Sequence, residues 1–425
     1  MKNPIVRYLI TFCLLMAAYL LFAFSSLYLP ESRIKHAIEK SVAKGDIKID
    51  YPRAIVNKEV CRMDQYSDAL ILNQAYSASR QEPLRTVMLV PSVGGTEDMA
   101  EWLESATEGV TEPVHIYPRY WHGSTYMTRW MMLLCGRYAN LQLLLFYLLS
   151  IVLFVFLFSL CKKGNILLAI SLFISMLLLK SYVAFFSIHL SDTFFISILA
   201  AILAIFITKR NRLRLLFFIV GSLTAYFDLM TTPLLTLGIP LLVALSNKKN
   251  QEESLGAIMK EIIIIAALWG VGYASTWGFK WVLATWLTDT NVIADALSIS
   301  KYRINGDVSG EIASVSSYTI WDAVHNNLTK CPLTLILVPM ILLVVAACIS
   351  FNKKGVKMTV AYLFVASFPI LYYMTIANQT YVHCWFTYRA LIVTVAGVLM
   401  ALGSLVDWHA SVFHVLIKRY YTQKK

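Results

Sequence analysis

Three stretches of this 425-residue sequence bring ionisable and aromatic side chains together. Tyr117 to Trp130 reads YPRYWHGSTYMTRW and packs three tyrosines, two tryptophans, two arginines and His122 into fourteen positions. Asn378 to Arg389 reads NQTYVHCWFTYR and places His383 and Arg389 beside Tyr381, Trp385 and Tyr388. Tyr226 to Pro233 reads YFDLMTTP and holds Asp228 between aromatic and hydroxyl neighbours. Arginine offers a rigid fork of charged donors that suits a phosphate, so Arg119, Arg129 and Arg389 are candidates to hold one. His122 and His383 add imidazoles that tune near neutral pH. Tyr117, Tyr120 and Trp121 offer flat faces to a ring such as a sugar. Against this stands a simpler reading, because aromatic belts flanked by arginine occur at many membrane interfaces without further purpose.

Carboxylates supply the other half of a possible reaction. A group transfer with inversion needs one base to take a proton from the attacking hydroxyl, and a means of stabilising the departing phosphate. Asp68 is the candidate base and Asp64 the reserve, although an aspartate directly before Ala69, Leu70, Ile71 and Leu72 is also a helix-start pattern in which the carboxylate caps the first turn. Asp228 lies fourteen residues beyond Arg214, roughly 21 Å at helical rise. That depth is within the outer part of a bilayer, where an ionisable group is costly and points to function. Lys180, His189 and Asp192 flank a turn at the same depth. Asp64, Asp68 and His122 are the groups a divalent cation would use; their spacing matches no metal motif, so no cofactor is required and a divalent cation stays open.

The elements that must position these groups follow from composition. The chain is 58% apolar and 15% charged, whereas soluble domains carry about 25% charged residues. A net charge of +12 would suggest nucleic acid in a soluble protein, but the basic residues cluster in short runs between apolar stretches, a topology signal that leaves no role for nucleic acid. Runs of about 20 apolar residues, the length that crosses a bilayer, fall near 8 to 29, 140 to 161, 165 to 186, 192 to 208, 215 to 230, 232 to 246, 262 to 283, 333 to 351, 358 to 376 and 390 to 406. The expectation is an all-α integral membrane protein of about ten transmembrane helices. The first run is too long for a signal-peptide core and reads as an uncleaved span.

Lysine and arginine concentrate in cytoplasmic loops. Lys2 and Arg7, Lys162 and Lys163, Lys209 to Arg214, Lys248 and Lys249, Lys353 to Lys357, and Lys418 to Lys425 all fall on one side if both ends are cytoplasmic. The chain then divides into a first helix at 1–29, a long extracytoplasmic loop at 30–139, helices 2 to 7 at 140–283, a second outer loop at 284–332, and helices 8 to 10 with a basic tail at 333–425. Within the first loop, Glu97 to Thr107 forms an amphipathic helix whose apolar face is Met99, Trp102, Leu103 and Ala106, with Gly94 and Gly95 marking the turn before it and Trp102 suited to the headgroup boundary. Seven cysteines form no C-x-x-C pair; Cys61, Cys135, Cys331 and Cys384 face outward, where a disulfide is open. No P-loop is present, so energy must come from the substrate or a gradient.

This arrangement resembles the GT-C class of membrane glycosyltransferases, which includes protein O-mannosyltransferases and lipid A aminoarabinose transferases. The likeness rests on the many spans, the long first outer loop with an acidic residue and amphipathic helices, and the aromatic, proline-containing motif leading into the second span. It implies a multi-pass protein of a bacterial plasma membrane that moves a sugar from a polyprenyl-phosphate carrier to an extracytoplasmic glycan, lipid or protein. By this resemblance Asp68 matches the first-loop catalytic aspartate, Tyr117 to Gly123 match the substrate-lining segment, and His383 and Arg389 correspond loosely to late-loop residues that contact the carrier phosphate. The acidic pair usual in that loop is missing, and Asp68 lies far from the first span. YPRYWHG, YFDLMTTPLLTLGIP and HCWFTYR also resemble uncharacterised bacterial multispan proteins of similar length. Competing readings are a secondary transporter or flippase, favoured by Asp228 and by Pro233, Gly238 and Pro240 interrupting short spans, an O-antigen-type polymerase or ligase, and a non-catalytic assembly protein.

Overall fold

The computed structural model describes residues 4–47, 65–95, 98–247, 253–307 and 317–408; Asp64, Cys61, Lys248, Lys249 and the basic tail lie outside them. Among the described residues six helical segments are long and apolar enough to cross a membrane: Pro4–Leu27 (α1), Tyr138–Lys162 (α7), Ile188–Phe206 (α10), Leu255–Leu287 (α13), Lys353–Thr375 and Cys384–Ser404. Ile320–Thr329 (α15) and Leu333–Ile349 (α16) form a seventh if counted as one span bent by 81°. The protein is therefore an all-α multi-pass membrane protein. Each of the ten apolar runs lies on helix, yet three fall short of the test. Residues 165–186 split into Ile166–Leu178 (α8) and the short Ser181–Ala184 (α9), Arg210–Phe227 (α11) carries three arginines in its first two turns, and Leu234–Leu245 (α12) has 12 residues. Twelve residues rise only about 18 Å against about 30 Å of hydrocarbon.

Helix α12 nevertheless forms the centre of the bundle. Every residue from Leu235 to Leu245 is buried, as a helix apolar all round must be. Leu391–Ser404 (α21) is almost as enclosed, while α1, α7 and α16 turn large apolar side chains outward, as lipid-facing helices do. Helices α11 and α13 touch through glycines. A methyl group on Gly272 would stand 2.1 Å from the Phe218 carbonyl oxygen, and one on Gly221 would stand 2.0 Å from that of Trp269. Small residues at such crossings let backbones approach where no hydrophobic force separates helix from lipid.

The described basic runs collect at one end. Arg7 Nη2 donates to the Asn211 carbonyl at 3.0 Å, Arg210 pairs with Glu253, Arg214 Nε meets Glu261 at 3.0 Å, and Lys357 Nζ donates to the Glu253 carbonyl at 2.9 Å. The Lys163 ammonium lies over the Phe206 ring. At the opposite end a small domain follows α1. It comprises Glu31–Ala43 (α2), Gln65–Ser77 (α3), Pro83–Leu89 (α4), Met99–Thr107 (α5) and Gly123–Cys135 (α6). It also contains a structure not anticipated in an all-α fold, an antiparallel ribbon of Pro91–Val93 (β1) and Val114–Ile116 (β2) in which Ser92 faces His115. The Asn73 side chain donates to the Val93 carbonyl and accepts from its N–H, both at 3.0 Å, and so completes the free edge of β1.

Helix α5 buries Met99, Leu103 and Ala106 as expected, and the Asp98 side chain accepts from Ala100 N at its start. Trp102, half-buried, packs against Gly94, where φ is +107° and a Cβ would strike the indole at 2.1 Å. Of the cysteines expected to face outward, Cys331 and Cys384 are buried and Cys135 half-buried; Cys61 lies outside the described residues.

Candidate active site

Helix α13 runs for 33 residues, about 50 Å. That is longer than the roughly 30 Å of bilayer hydrocarbon. On one face it carries Trp269, Tyr273, Trp277 and Trp281, each four residues after the last. Successive ring centroids lie 5.1, 4.8 and 6.0 Å apart. The ladder is fixed at both ends: Trp269 Nε1 donates to Thr236 Oγ1 at 3.0 Å, and Trp281 Nε1 donates to the Arg119 carbonyl at 2.8 Å. Its upper rungs form one wall of a cavity of about 140 Å³. Val292–Asn305 (α14) covers the cavity with Ile299, Arg303 and Ile304, while Arg119, Tyr120 and Met230 complete the lining. Two cations thus face an otherwise largely apolar space.

Below this chamber two helices are interrupted. Between α8 and α10 the chain turns through Lys180 at φ +53°, and between α11 and α12 through Met230 at φ +63°. A side chain in the left-handed region costs about 1 to 2 kcal/mol and persists where the surroundings over-determine it. The two breaks are joined, since Thr193 Oγ1 lies 3.0 Å from Thr232 Oγ1. The Tyr388 hydroxyl donates to the Leu179 carbonyl at 3.0 Å, satisfying backbone that the first break leaves open.

Asp228 ends α11 at the second break. Its Oδ1 accepts from Thr231 N at 2.9 Å and from the Thr231 hydroxyl. Its Oδ2 is buried and has no partner, and the buried hydroxyls of Tyr273 and Tyr372 have none either. The carboxylate lies within electrostatic reach of Tyr120, Tyr273 and Tyr372. Buried polar atoms are nearly always paired, so several unpaired ones around one carboxylate mark a place built for something polar. Beside it, Ser124 Oγ stands 2.5 Å from Asp192 Oδ2 and 2.8 Å from the Phe227 carbonyl, which brings Asp192 into the same neighbourhood.

The other sequence candidates divide sharply. Arg119 reaches the chamber, stacks on the Tyr117 ring at 4.7 Å and pairs with Asp295 at 3.0 Å. Trp121 is fully enclosed, with Nε1 donating to the Thr276 carbonyl at 2.8 Å and its ring packed against Tyr226 and Phe279; it is core and offers no face to a sugar. Arg129 is also enclosed. Its Nε donates to the Ser26 carbonyl at 3.1 Å and its Nη1 to that of Ala75 at 2.5 Å, so the guanidinium ties down the C-terminal turns of α1 and α3. Arg389 is buried with its guanidinium 4.9 Å from the Tyr388 ring. His383 is half-buried and stacks on Phe386, which in turn meets His189 edge-on. The late stretch reaches the chamber instead through Asn378, whose Oδ1 accepts from Arg303 at 3.2 Å, and Gln379, which donates to the Met230 carbonyl at 3.4 Å.

Asp68 lies within electrostatic reach of Asp192 but is not among the residues that line the chamber. Its carboxylate accepts from the Tyr138 hydroxyl at 2.5 Å, the Ser187 hydroxyl at 3.0 Å, Ile188 N at 3.0 Å and His189 N at 2.9 Å. It caps the first turn of α10, a different helix from its own, and α3 begins earlier, at Gln65. Among the described residues no three His, Cys, Asp or Glu side chains gather as cation ligands.

No family model, curated protein or solved structure matches this chain. Two features of the site's geometry escaped the sequence reading. The four-residue spacing of Trp269, Tyr273, Trp277 and Trp281 was visible as one helical face; Arg303 and Asp295 carried no local signal, because only folding sets α14 over the chamber.

His122 adopts φ +56° before α6, and its Nε2 meets the Tyr117 carbonyl at 2.9 Å. Burial, with Lys280 and Arg119 nearby, pushes the imidazole down from 6.5 to about 3, so the folded protein holds it neutral. Unfolded chains take up the proton first as pH falls. Its stabilising contribution is thus complete above about 6.5 and is lost progressively towards pH 3. Thermal unfolding in detergent between pH 7 and 4 is expected to show a falling midpoint that His122→Gln flattens; parallel curves would remove His122 as the cause.

Proposed function

We propose that the protein is a membrane glycosyltransferase that takes a sugar from a polyprenyl-phosphate carrier at the outer face of a bacterial plasma membrane. Ten spans with both ends cytoplasmic belong to this reading, and the common end shared by the described basic runs supports it. The observation that carries the proposal is the buried Asp228 oxygen left without a partner, two residues from Met230 in an arginine-lined chamber. Asp228 replaces Asp68 as the base. It takes the proton of an acceptor hydroxyl, the hydroxyl oxygen bonds to the sugar's anomeric carbon, and the bond from that carbon to the phosphate oxygen breaks. The phosphate leaves on its lipid with the electron pair, opposite the charge of Arg119. Glycan, lipid and protein hydroxyls all satisfy this chemistry.

A second reading, a transporter or flippase, draws on one specific observation: the breaks at Lys180 and Met230 meet through Thr193 and Thr232, as interrupted spans do around a transported substrate. Mass spectrometry of lipids retained through purification, followed by a transfer assay with a radiolabelled polyprenyl-phosphate sugar, separates the two. The expected result is a bound polyprenyl phosphate and label appearing on the acceptor. Label that crosses vesicles without any bond being made would replace the enzyme with a transporter.

A further inference from the structure

Chamber and cover meet at one ion pair. Arg119 Nη1 lies 3.0 and 3.2 Å from the two oxygens of Asp295, which stands in the first turn of α14. Arg303, two turns further along that helix, lines the same cavity. Around these cations the wall is mostly apolar, with Ile299, Ile304, Ile376, Trp277 and Trp281 beside the hydroxyl-bearing Tyr120 and Ser300. A site with two guanidinium groups and apolar walls matches neither a free inorganic anion nor a neutral lipid. It matches a phosphate attached to a hydrocarbon chain, whose charge meets the fork of each arginine while the chain lies along the apolar wall.

We propose that Arg119 and Arg303 form the phosphate seat of this chamber, and that Asp295, beside it on α14, holds Arg119 in the resting protein as an internal substitute for the ligand. Asp295 bonds Arg119 in the way a phosphate oxygen would. The pair is partly exposed, at 22% and 37% for the two side chains, and such pairs contribute little to stability. A phosphate on a hydrocarbon chain gains the apolar wall as well as the arginines, which the Asp295 carboxylate does not, so it displaces Asp295 and loosens the hold of α14 on the mouth. The proposal rests on the chamber being the ligand site of the function given above, and the lining fits a phosphate joined to a hydrocarbon chain.

Binding of farnesyl phosphate to the purified full chain in nanodiscs tests this, with farnesol and inorganic phosphate as controls. Wild type is expected to bind farnesyl phosphate and to bind both controls at least tenfold more weakly. Asp295→Asn removes the competing charge and is expected to tighten binding about two- to fivefold, the equivalent of an exposed pair. Arg119→Ala and Arg303→Ala are each expected to weaken it more than tenfold. Asp295 lies at the surface and Asn keeps its shape, so the variant retains the fold. Unchanged or weaker binding by Asp295→Asn overturns the internal substitute. Inorganic phosphate binding as tightly as farnesyl phosphate overturns the amphiphile assignment. Sugar transfer by wild type together with an unaffected Asp295→Asn would sink this inference while leaving the glycosyltransferase standing; tighter binding without any transfer would do the reverse.

Discussion

Asp228→Asn is expected to lower turnover by about 10²- to 10⁴-fold, the contribution of one positioned base, without loss of folded protein. The two effects separate for a structural reason. The asparagine oxygen can keep the bonds that Asp228 Oδ1 accepts from Thr231, and the other oxygen has no partner to lose. Removing a charge from a buried site also relieves its desolvation, so the unfolding midpoint in detergent should stay level or rise as activity disappears. Strained or unpaired groups held at the cost of stability are a mark of active sites. The measurement pairs initial rates from a radiolabelled donor with thermal unfolding of the same preparation. Turnover within a fewfold of wild type would remove Asp228 as the base, and a lower midpoint together with inactivity would reduce it to a structural residue.

The opposite pattern is expected for Asp68. Its carboxylate accepts from two backbone N–H groups at the start of α10 and from the hydroxyls of Tyr138 and Ser187. Asparagine offers one acceptor oxygen in place of two, and its amide would turn donors toward donors. Loss of bonds to a buried charged group costs about 1.5 to 3 kcal/mol each. Asp68→Asn should therefore destabilise the protein by about 3 kcal/mol or more, read as a lower unfolding midpoint and faster proteolysis around α3. The fraction that remains folded should turn over within a fewfold of wild type. An Asp68→Asn protein that unfolds like wild type yet transfers nothing would restore Asp68 as the base and displace Asp228.

Asp68 and Asp228 exchange roles between sequence and structure for an instructive reason. Asp68 stands at a helix start, and capping was the simpler expectation; what could not be read was which helix it caps, since Ser187, Ile188 and His189 are about 120 residues away. Arg129 and Trp121 sat in the densest aromatic stretch of the chain and looked like ligands. Both turned inward, because an arginine at two helix ends satisfies carbonyls that have no partner in their own helices. Arg119 and Tyr120, their immediate neighbours, face the chamber. Tyr117 to His122, the part of the motif before α6, is neither helix nor strand and has no period, so neighbouring residues there serve core and cavity without any sign in the sequence.

What the sequence determined by itself is the solvent and the general plan: 58% apolar residues in helical runs with basic turns between them leave a multi-pass helical bundle as the outcome. It also marked Asp228 as costly in its place. The tertiary structure decided which runs are whole spans and which are broken, that α12 lies at the centre despite its 12 residues, and that Asp295 and Arg303 come from a distant segment to meet Arg119. The physical reason is one of range. Hydropathy and helical period are local quantities carried by neighbouring residues, whereas a carboxylate's partners, and therefore its chemistry, are fixed only when separate helices pack.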